Sequence, residues 1–413
     1  MLCDSRPDCH QPADVVRLDG EFCGLTVDAK RRSVVRQLIN LVNIQGAGQI
    51  CVRPATLAPD LEAQLDLLDG ARRWRDWWRE ASGRDLELSQ VAVDRHAPPT
   101  LAPSPPGPES IAVGINVGGH YLRVVRCRGR EIERSHSVRV GGGRDSLLAD
   151  SGLAGLAGAV RGMLDGATAV GIAWAAPAAK ARARPLSMQT RASAEMAALL
   201  REGNLERQLE KRWKCAVSSW NDGLAVAASQ VCADPDRPPR TQLVLKLGTS
   251  LAAGLVRDGK VVDLPLEMAK CLLDVQPLVS YEHPTVGLRG TARDLIGADP
   301  LVATYRKLSH RPDATFADLE EDALASRAEA RRLLERAARG VALLARLAQS
   351  LWRDLELVVT GRNISDRRIR DLFLKSVRDD LERVAGGIPI RSSAGDPDLS
   401  AAYGSAILAQ GAV

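Results

Sequence analysis

The stretch Ile111-Ala-Val-Gly-Ile-Asn116-Val-Gly118-Gly119-His120 decides the fold. An apolar run ends in a glycine turn, Tyr121 to Cys127 returns to strand character, and Arg128-Gly129 turns the chain again into a third strand. The same order recurs at Leu243-Val-Leu-Lys-Leu247-Gly248-Thr249-Ser250, followed by Leu251 to Val256 and an Asp258-Gly259 hairpin turn into Lys260 to Leu264. Two strand-turn-strand-turn-strand units about 130 residues apart predict a duplicated lobe, each copy aiming a glycine-bearing turn at a common cleft. Turns of this kind expose backbone N–H groups that hold phosphate oxygens.

Outward from these units, Ala328 to Trp352 has apolar residues at 333, 334, 337, 341, 344, 347 and 351, the stripe of a long amphipathic helix whose job is core packing. Ala401 to Leu408 reads as a short final helix. In the other direction, His96 to Ser110 carries six prolines and is expected to form no regular element, a stiff interdomain linker. Residues 1–96 before it alternate strand and helix patterns: a hairpin over Val15 to Val27, a helix over Lys30 to Val42, a strand at Ile50 to Val52, a helix through Leu61, Leu65, Leu68, Trp74 and Trp78, and a strand at Leu86 to Val93. That order predicts a small α/β domain in preference to a three-helix DNA-binding module. Trp74, Trp77 and Trp78 read either as a partner-binding face or, preferred here, as packing on the domain's own core or on the next lobe.

The composition narrows the class. The 413 residues are enough for two or three cores, and 45% hydrophobic with 26% charged residues is a globular balance. Aromatics at 3% are too few for a platform that stacks single-stranded nucleic acid. Residues 1–105 carry 13 Lys and Arg against 15 Asp and Glu, so no basic DNA-binding arm is visible, and DNA is a disfavoured partner. The longest uncharged apolar run, Ala167 to Ala179, is too short to span a bilayer, and the first ten residues do not make a secretory signal; the cytoplasm is the expected compartment. The eight cysteines are scattered without a CxxC pair and are expected to be reduced. Cys3, Cys9, His10 and Cys23 fit no common zinc-ligand spacing.

Four blocks then fall into one order: the turn at Gly114 to His120, Asn221-Asp222-Gly-Leu-Ala, Gly248-Thr249, and an end block from Leu357-Val-Val-Thr-Gly361 through Gly395-Asp396 to Ala402-Tyr-Gly404-Ser-Ala406. With them, residues 111 to 411 resemble the ROK family (repressor, open reading frame, kinase). None of the blocks is specific alone; the signal lies in their order. The resemblance implies an α/β chain with the two-lobed, actin-like sugar-kinase ATPase fold: a first lobe over 111–233 to which a helix at 401–410 returns, a second over 234–400, and the small N-terminal α/β domain ahead of the 97–110 linker. It also implies ATP and Mg2+ as cofactors, with Asn116, Gly118, Gly119, His120, Gly248, Thr249, Gly361 and Arg362 at the nucleotide. Asp222 would be the general base on a substrate hydroxyl, and Asn221, Glu267, Lys270 and Arg289 would bind that substrate. Self-association into homo-oligomers is implied by the resemblance only. Read from the residues alone, Asn221-Asp222 before an apolar run is also an ordinary helix N-cap, and both roles are compatible.

The chain departs from the family pattern where the chemistry sits. Asn116 replaces the aspartate that orients hydrated magnesium, and a neutral amide is a poorer partner for a divalent cation. His120 replaces a phosphate-contacting threonine, while Ser250, Ala252 and Ala253 replace glycines of the second loop and narrow the backbone approach to a phosphate. Gly361-Arg362 stands for a glycine pair. The family's zinc motif is absent from Leu264 to Arg293, where only Cys271 remains, so no structural zinc is expected there. Lys270 and Arg289 stand where a histidine and a glutamate belong; they read either as recognition of an anionic ligand or as drifted surface charge. Three functions stay open. The first is a divergent ATP-dependent kinase for a sugar-like, anionic or neutral molecule bound in the interlobe cleft. The second is a pseudokinase that senses a ligand or serves as a scaffold, with the N-terminal domain as the surface for a protein partner. The third is a transcriptional regulator of the same family.

Overall fold

The computed structural model describes residues 49–51, 87–89, 100–101, 107–139, 152–175, 178–179, 182–183, 205–233, 240–263, 266–273, 288, 290–352, 354–384 and 387–411. The expected hairpin at 15–27, the helices at 30–42 and 61–78, the tryptophan cluster, the Cys3–Cys23 group and Arg289 lie outside them. Near the N-terminus, β1 (Gln49–Cys51) and β2 (Glu87–Ser89) pair in parallel, at the two places where strands were expected.

One compact unit takes in 99–264, 355–375 and 388–413, and holds two sheets. Its strands and helices in chain order are β3 (Thr100–Leu101), β4 (Ile111–Val117), β5 (Tyr121–Arg128), β6 (Glu131–Arg139), α1 (Gly152–Val160), β7 (Ala169–Trp174), the short strands β8 (Ala178–Ala179) and β9 (Arg182–Ala183), α2 (Leu205–Trp213), β10 (Ala216–Asn221), α3 (Asp222–Ala233), β11 (Thr241–Leu247), β12 (Leu251–Arg257) and β13 (Lys260–Val262). The other unit, 265–354 with 376–387 and the β1–β2 pair, contains α4 (Ala292–Ile296), α5 (Ala298–Leu308), α6 (Phe316–Leu324) and α7 (Ala328–Leu351). The chain ends with β14 (Leu355–Thr360), α8 (Arg367–Val384), β15 (Ile390–Ser392) and α9 (Ser400–Gln410).

The two sheets share one plan. In the first the order is β10-β7-β4-β5-β6, with β10, β7 and β4 parallel and β4, β5 and β6 an antiparallel meander. In the second, β15-β14-β11-β12-β13-β3, the strands β15, β14 and β11 are parallel and β11, β12 and β13 form the same meander. The duplication expected from the two glycine turns is therefore present in the strand order. Parallel strands are covered on both faces and read as apolar runs, as β7 does throughout and β4 and β14 do apart from buried Asn116, Glu356 and Thr360. The edge strand β6 is largely exposed and charged, which blunts it against further pairing.

The proline-rich stretch contradicts the expectation that it holds no regular element. Thr100 and Leu101 pair antiparallel with β13 as an edge strand. Proline lacks only its own N–H, so a two-residue rung between Pro99 and Pro103 at a sheet edge is compatible with the ladder.

One face of the first sheet buries Val113, Ile115, Val124 and Ile172 against Leu156 and Val160 of α1 and Leu209 of α2. Each fully buried leucine or isoleucine here contributes about 2 kcal/mol of hydrophobic stabilisation. Its other face carries α9, which also packs on α3, and α3 lies on β11, β12 and β13 of the second sheet. The two helices are built from small residues because backbones meet there: a Cβ on Gly404 would lie 1.6 Å from the carbonyl oxygen of Ala225, and one on Gly254 would lie 2.1 Å from that of Gly223. Ser405 Oγ donates to the carbonyls of Ala402 (2.8 Å) and Gly171 (3.1 Å), fixing α9 on β7.

In the other unit, α7 is the long amphipathic helix expected from its stripe, with Leu333, Leu334, Ala337, Val341 and Leu344 buried. Among the described residues no helix is long and apolar enough to cross a membrane.

Candidate functional site

The meander turns and the start of α3 bring the chemistry together inside the two-sheet unit. Asn221 ends β10, and its side-chain Oδ1 accepts from the backbone N–H of Gly223 (2.9 Å) and Leu224 (3.3 Å), so it caps α3. The close Gly223–Gly254 approach seats this helix start on β12, and Asp222, its first residue, thereby faces β11. There the ammonium of Lys246 lies 3.8 Å from Asp222 Oδ2, with each side chain 14% exposed. Burial pushes the Lys246 ammonium below its ordinary range, and the neighbouring Asp222 carboxylate opposes that shift.

A second ion pair stands beside the first. Arg123 on β5 donates from Nη2 to Asp398 Oδ1 at 2.8 Å, and both charges act on Lys246. Arg123 is the cross-strand partner of Asn116 on β4. Asn116 is 1% exposed, and neither its amide nitrogen nor its amide oxygen has a hydrogen-bond partner; the Nε of Arg123 is likewise buried and unpartnered. Buried amides left unmatched in this way are uncommon and costly.

The two glycine turns are closed on themselves. The N–H of Gly118 donates to Tyr121 O at 3.0 Å and that of Gly248 to Ser250 O at 2.9 Å, so each turn already engages one of its glycine donors. The turns also touch, since a Cβ on Gly119 would lie 2.9 Å from Thr249 Cγ2. At the end of β14, Gly361 has φ +109°, and a Cβ there would collide with the backbone of Leu247. The next two residues reach back to the turns. Asn363 Nδ2 donates to Gly248 O at 3.1 Å, and the Arg362 guanidinium sits 4.7 Å from the centroid of the Tyr121 ring, which Arg123 also approaches at 5.2 Å.

The residues expected at the nucleotide, Asn116, Gly118, Gly119, His120, Gly248, Thr249, Gly361 and Arg362, thus all fall in this unit with Asn221 and Asp222. Glu267 and Lys270 belong to the other unit, where Glu267 precedes a 3-10 turn over Met268–Lys270, Lys270 ends it, and the two form a buried ion pair. Lys270 is therefore charge-balanced within its own turn. Sequence reasoning missed Lys246, Arg123, Asp398 and Tyr121. A signal existed for the first two: a charged residue inside an otherwise apolar strand, Leu-Val-Leu-Lys-Leu and Tyr-Leu-Arg-Val-Val, needs a partner when that strand is buried.

These residues do not fit a hydrated divalent cation. Mg2+ takes carboxylate and water oxygens, yet Asp222 is engaged by Lys246, Asp398 by Arg123, and position 116 is neutral. Among the described residues no group of three or more His, Cys, Asp or Glu side chains is placed to hold a metal.

No protein-family model matches the chain, and no curated protein matches it. Solved structures do. A ROK family glucokinase from Streptomyces griseus, in complex with glucose and AMPPNP, aligns at 18% identity over 73% of this chain and 99% of its own, with a TM-score of 0.59. A ROK hexokinase from Thermus thermophilus aligns at 18% identity over 72% and 97%, TM-score 0.53. A ROK family transcriptional regulator, a homologue of the E. coli MLC protein, aligns at 14% identity over 73% and 79%, TM-score 0.53. With the duplicated parallel-then-meander sheets, these likenesses show that the chain has the ROK sugar-kinase fold.

Proposed function

We propose that the chain is a ligand-binding protein on the ROK fold, of the sensor or regulator kind, which takes a hydroxyl-bearing, sugar-like molecule and does not transfer a phosphoryl group to it. The observation that carries this reading is the Lys246–Asp222 pair. A general base must be ready to accept a proton from the substrate hydroxyl, and a carboxylate engaged by a partly buried ammonium is a weakened base. Neutral Asn116, the self-closed glycine turns and the Arg362–Tyr121 contact support the same conclusion, because phosphoryl transfer rests on positioning the phosphates and compensating their charge. Asn221 and Asp222 at the β10–α3 junction supply the polar end for a ligand hydroxyl. The solved glucokinase complex with glucose gives the class of ligand to try first.

The test is paired. Hexoses, N-acetylhexosamines and hexuronic acids are titrated calorimetrically, and ADP release from Mg-ATP is followed with each sugar. Saturable binding of one sugar class, with ADP release equal in the wild type and in Asp222→Asn, is the expected result. Sugar-dependent turnover that disappears in Asp222→Asn would establish instead the second reading, a divergent kinase with Asp222 as its base. The geometry that favours the second reading is the placement of Asp222 at the mouth of the strand-to-helix junction.

A further inference from the structure

We infer that Lys246 is the resident cation of this site: its ammonium holds the place beside Asp222 that a divalent metal would need, so the site keeps metal out instead of recruiting it. The inference rests on the reading above and adds a cause to it. Three observations meet here. Lys246 stands two residues before Gly248, as Asn116 stands two before Gly118, so the duplicated fold places one side chain from each copy at the same step of its strand. At one of those positions the carboxyl group expected from the resemblance is an amide with neither polar atom satisfied. At the other a lysine has entered an apolar strand and found the nearest carboxylate, Asp222, as its counter-ion.

The charges close without an added ion. Arg123 and Lys246 bring two positive charges, Asp222 and Asp398 two negative ones, and each carboxylate is paired with one cation. A divalent cation entering this cluster would lie against an ammonium and a guanidinium, and among the described residues no third carboxylate is placed to offset them. Repulsion between close like charges in a partly buried site is strong enough to decide occupancy. An aspartate at 116 would supply one negative charge but would still meet the lysine. Only the joint change, charge gained at 116 and lost at 246, leaves two carboxylates for a metal.

The probe is Mn2+ alone, followed by the loss of its free-ion paramagnetic resonance signal. It is titrated into the full-length wild type, Asn116→Asp, and the double variant Asn116→Asp/Lys246→Met, with a thermal melt on each. The expected result is no stoichiometric Mn2+ in the wild type, little change in Asn116→Asp, and one ion bound at least tenfold more tightly by the double variant. Equal Mn2+ affinity in Asn116→Asp and the double variant would overturn the inference, because the lysine would then guard nothing. Should the double variant fail to fold, the wild-type melt decides. An ion that binds only the folded chain raises the melting temperature, so a Mn2+-dependent rise that vanishes in Asp222→Asn overturns the inference, and a melt indifferent to millimolar Mn2+ supports it. Turnover of ATP in a chain that excludes Mn2+ would defeat the proposed function and leave this inference standing, so the two fail separately.

Discussion

The two copies of the meander differ most where their plan is most alike. In β4-β5-β6 the strand before the glycine turn ends Asn116-Val-Gly118, and in β11-β12-β13 it ends Lys246-Leu-Gly248. Both side chains sit in the same two-sheet unit, yet Asn116 has no hydrogen-bond partner for either polar atom while Lys246 has a carboxylate. One copy carries an uncompensated polar group and the other an ion pair. A fold repeated within one chain supplies equivalent positions, and what occupies them is free to diverge into opposite electrostatic roles.

The sharpest way to break this comparison is to remove the polar group at each position. Lys246→Met leaves the Asp222 carboxylate partly buried without its cation, and losing one partner of a buried pair costs about 3 to 5 kcal/mol. With each side chain 14% exposed, the lower end of that range is expected. Asn116→Leu, nearly the same shape, removes an amide that makes no hydrogen bond and should stabilise the chain by about 1 to 3 kcal/mol. Urea unfolding of both variants measures the two signs side by side. A destabilised Asn116→Leu would mean that the amide is satisfied in solution, and the contrast between the copies would collapse.

The middle strands of the two copies offer a second contrast, this time with pH. Cys127 on β5 pairs with Ala112, and at the same step of the second copy Gln242 pairs with Val256 on β12; both are buried, but only the first copy places a titratable group there. Burial first, and the Glu133 carboxylate second, push the Cys127 thiol up from 9.0 to about 12. As pH rises past about 9, the unfolded chain releases this proton while the folded chain keeps it until about 12. The unfolded state then binds fewer protons, and stability falls across that window. Between pH 9 and 10.5 the loss from this group is at most about 2 kcal/mol. Tyr403, also raised to about 12 by burial, adds to it with the same sign. Urea midpoints at pH 8 and 10.5 should therefore drop in the wild type and drop less in Cys127→Ala. An equal drop in both would assign the alkaline sensitivity elsewhere.

What the sequence made legible follows from the range of the interactions involved. The meanders, the Asp258-Gly259 turn and the long helix α7 are local patterns. Asp258 and Gly259 both adopt positive φ, as a tight hairpin demands, and α7 begins and ends within one residue of the expected Ala328–Trp352 span. The ordered glycine and Asn-Asp blocks are local patterns as well, and the structure gathers them in one two-sheet unit. The pairings inside it were not legible because their partners are far apart in the chain. Arg123 meets Asp398 across 275 positions, and Asn363 meets Gly248 across 115. Lys246 could be flagged as a charge in an apolar strand, but not given Asp222 as its counter-ion. Lys270, which read either as a cation offered to a ligand or as drifted surface charge, is in fact buried, with its partner Glu267 three residues away.

The smallest expected effect concerns the residue that follows each glycine turn. In the first copy it is Tyr121, whose ring carries the guanidinium of Arg362 at 4.7 Å; in the second it is Leu251, which is simply buried. Tyr121 therefore ties its turn to the end of β14, and Leu251 has no such reach. An exposed cation–π contact is worth about 0.5 to 1 kcal/mol, so Arg362→Ala should lower stability by that amount and leave the fold intact. Lost packing of the arginine stem would produce a similar number, and a single variant does not separate the two causes. A double-mutant cycle with Tyr121→Leu does, because only the ring-to-guanidinium term is lost in both single variants and counted once in the pair. A coupling near zero would reduce Arg362 to surface charge. A coupling of the expected size would make the Tyr121 ring a fastening that the second glycine turn, with leucine in its place, does not have.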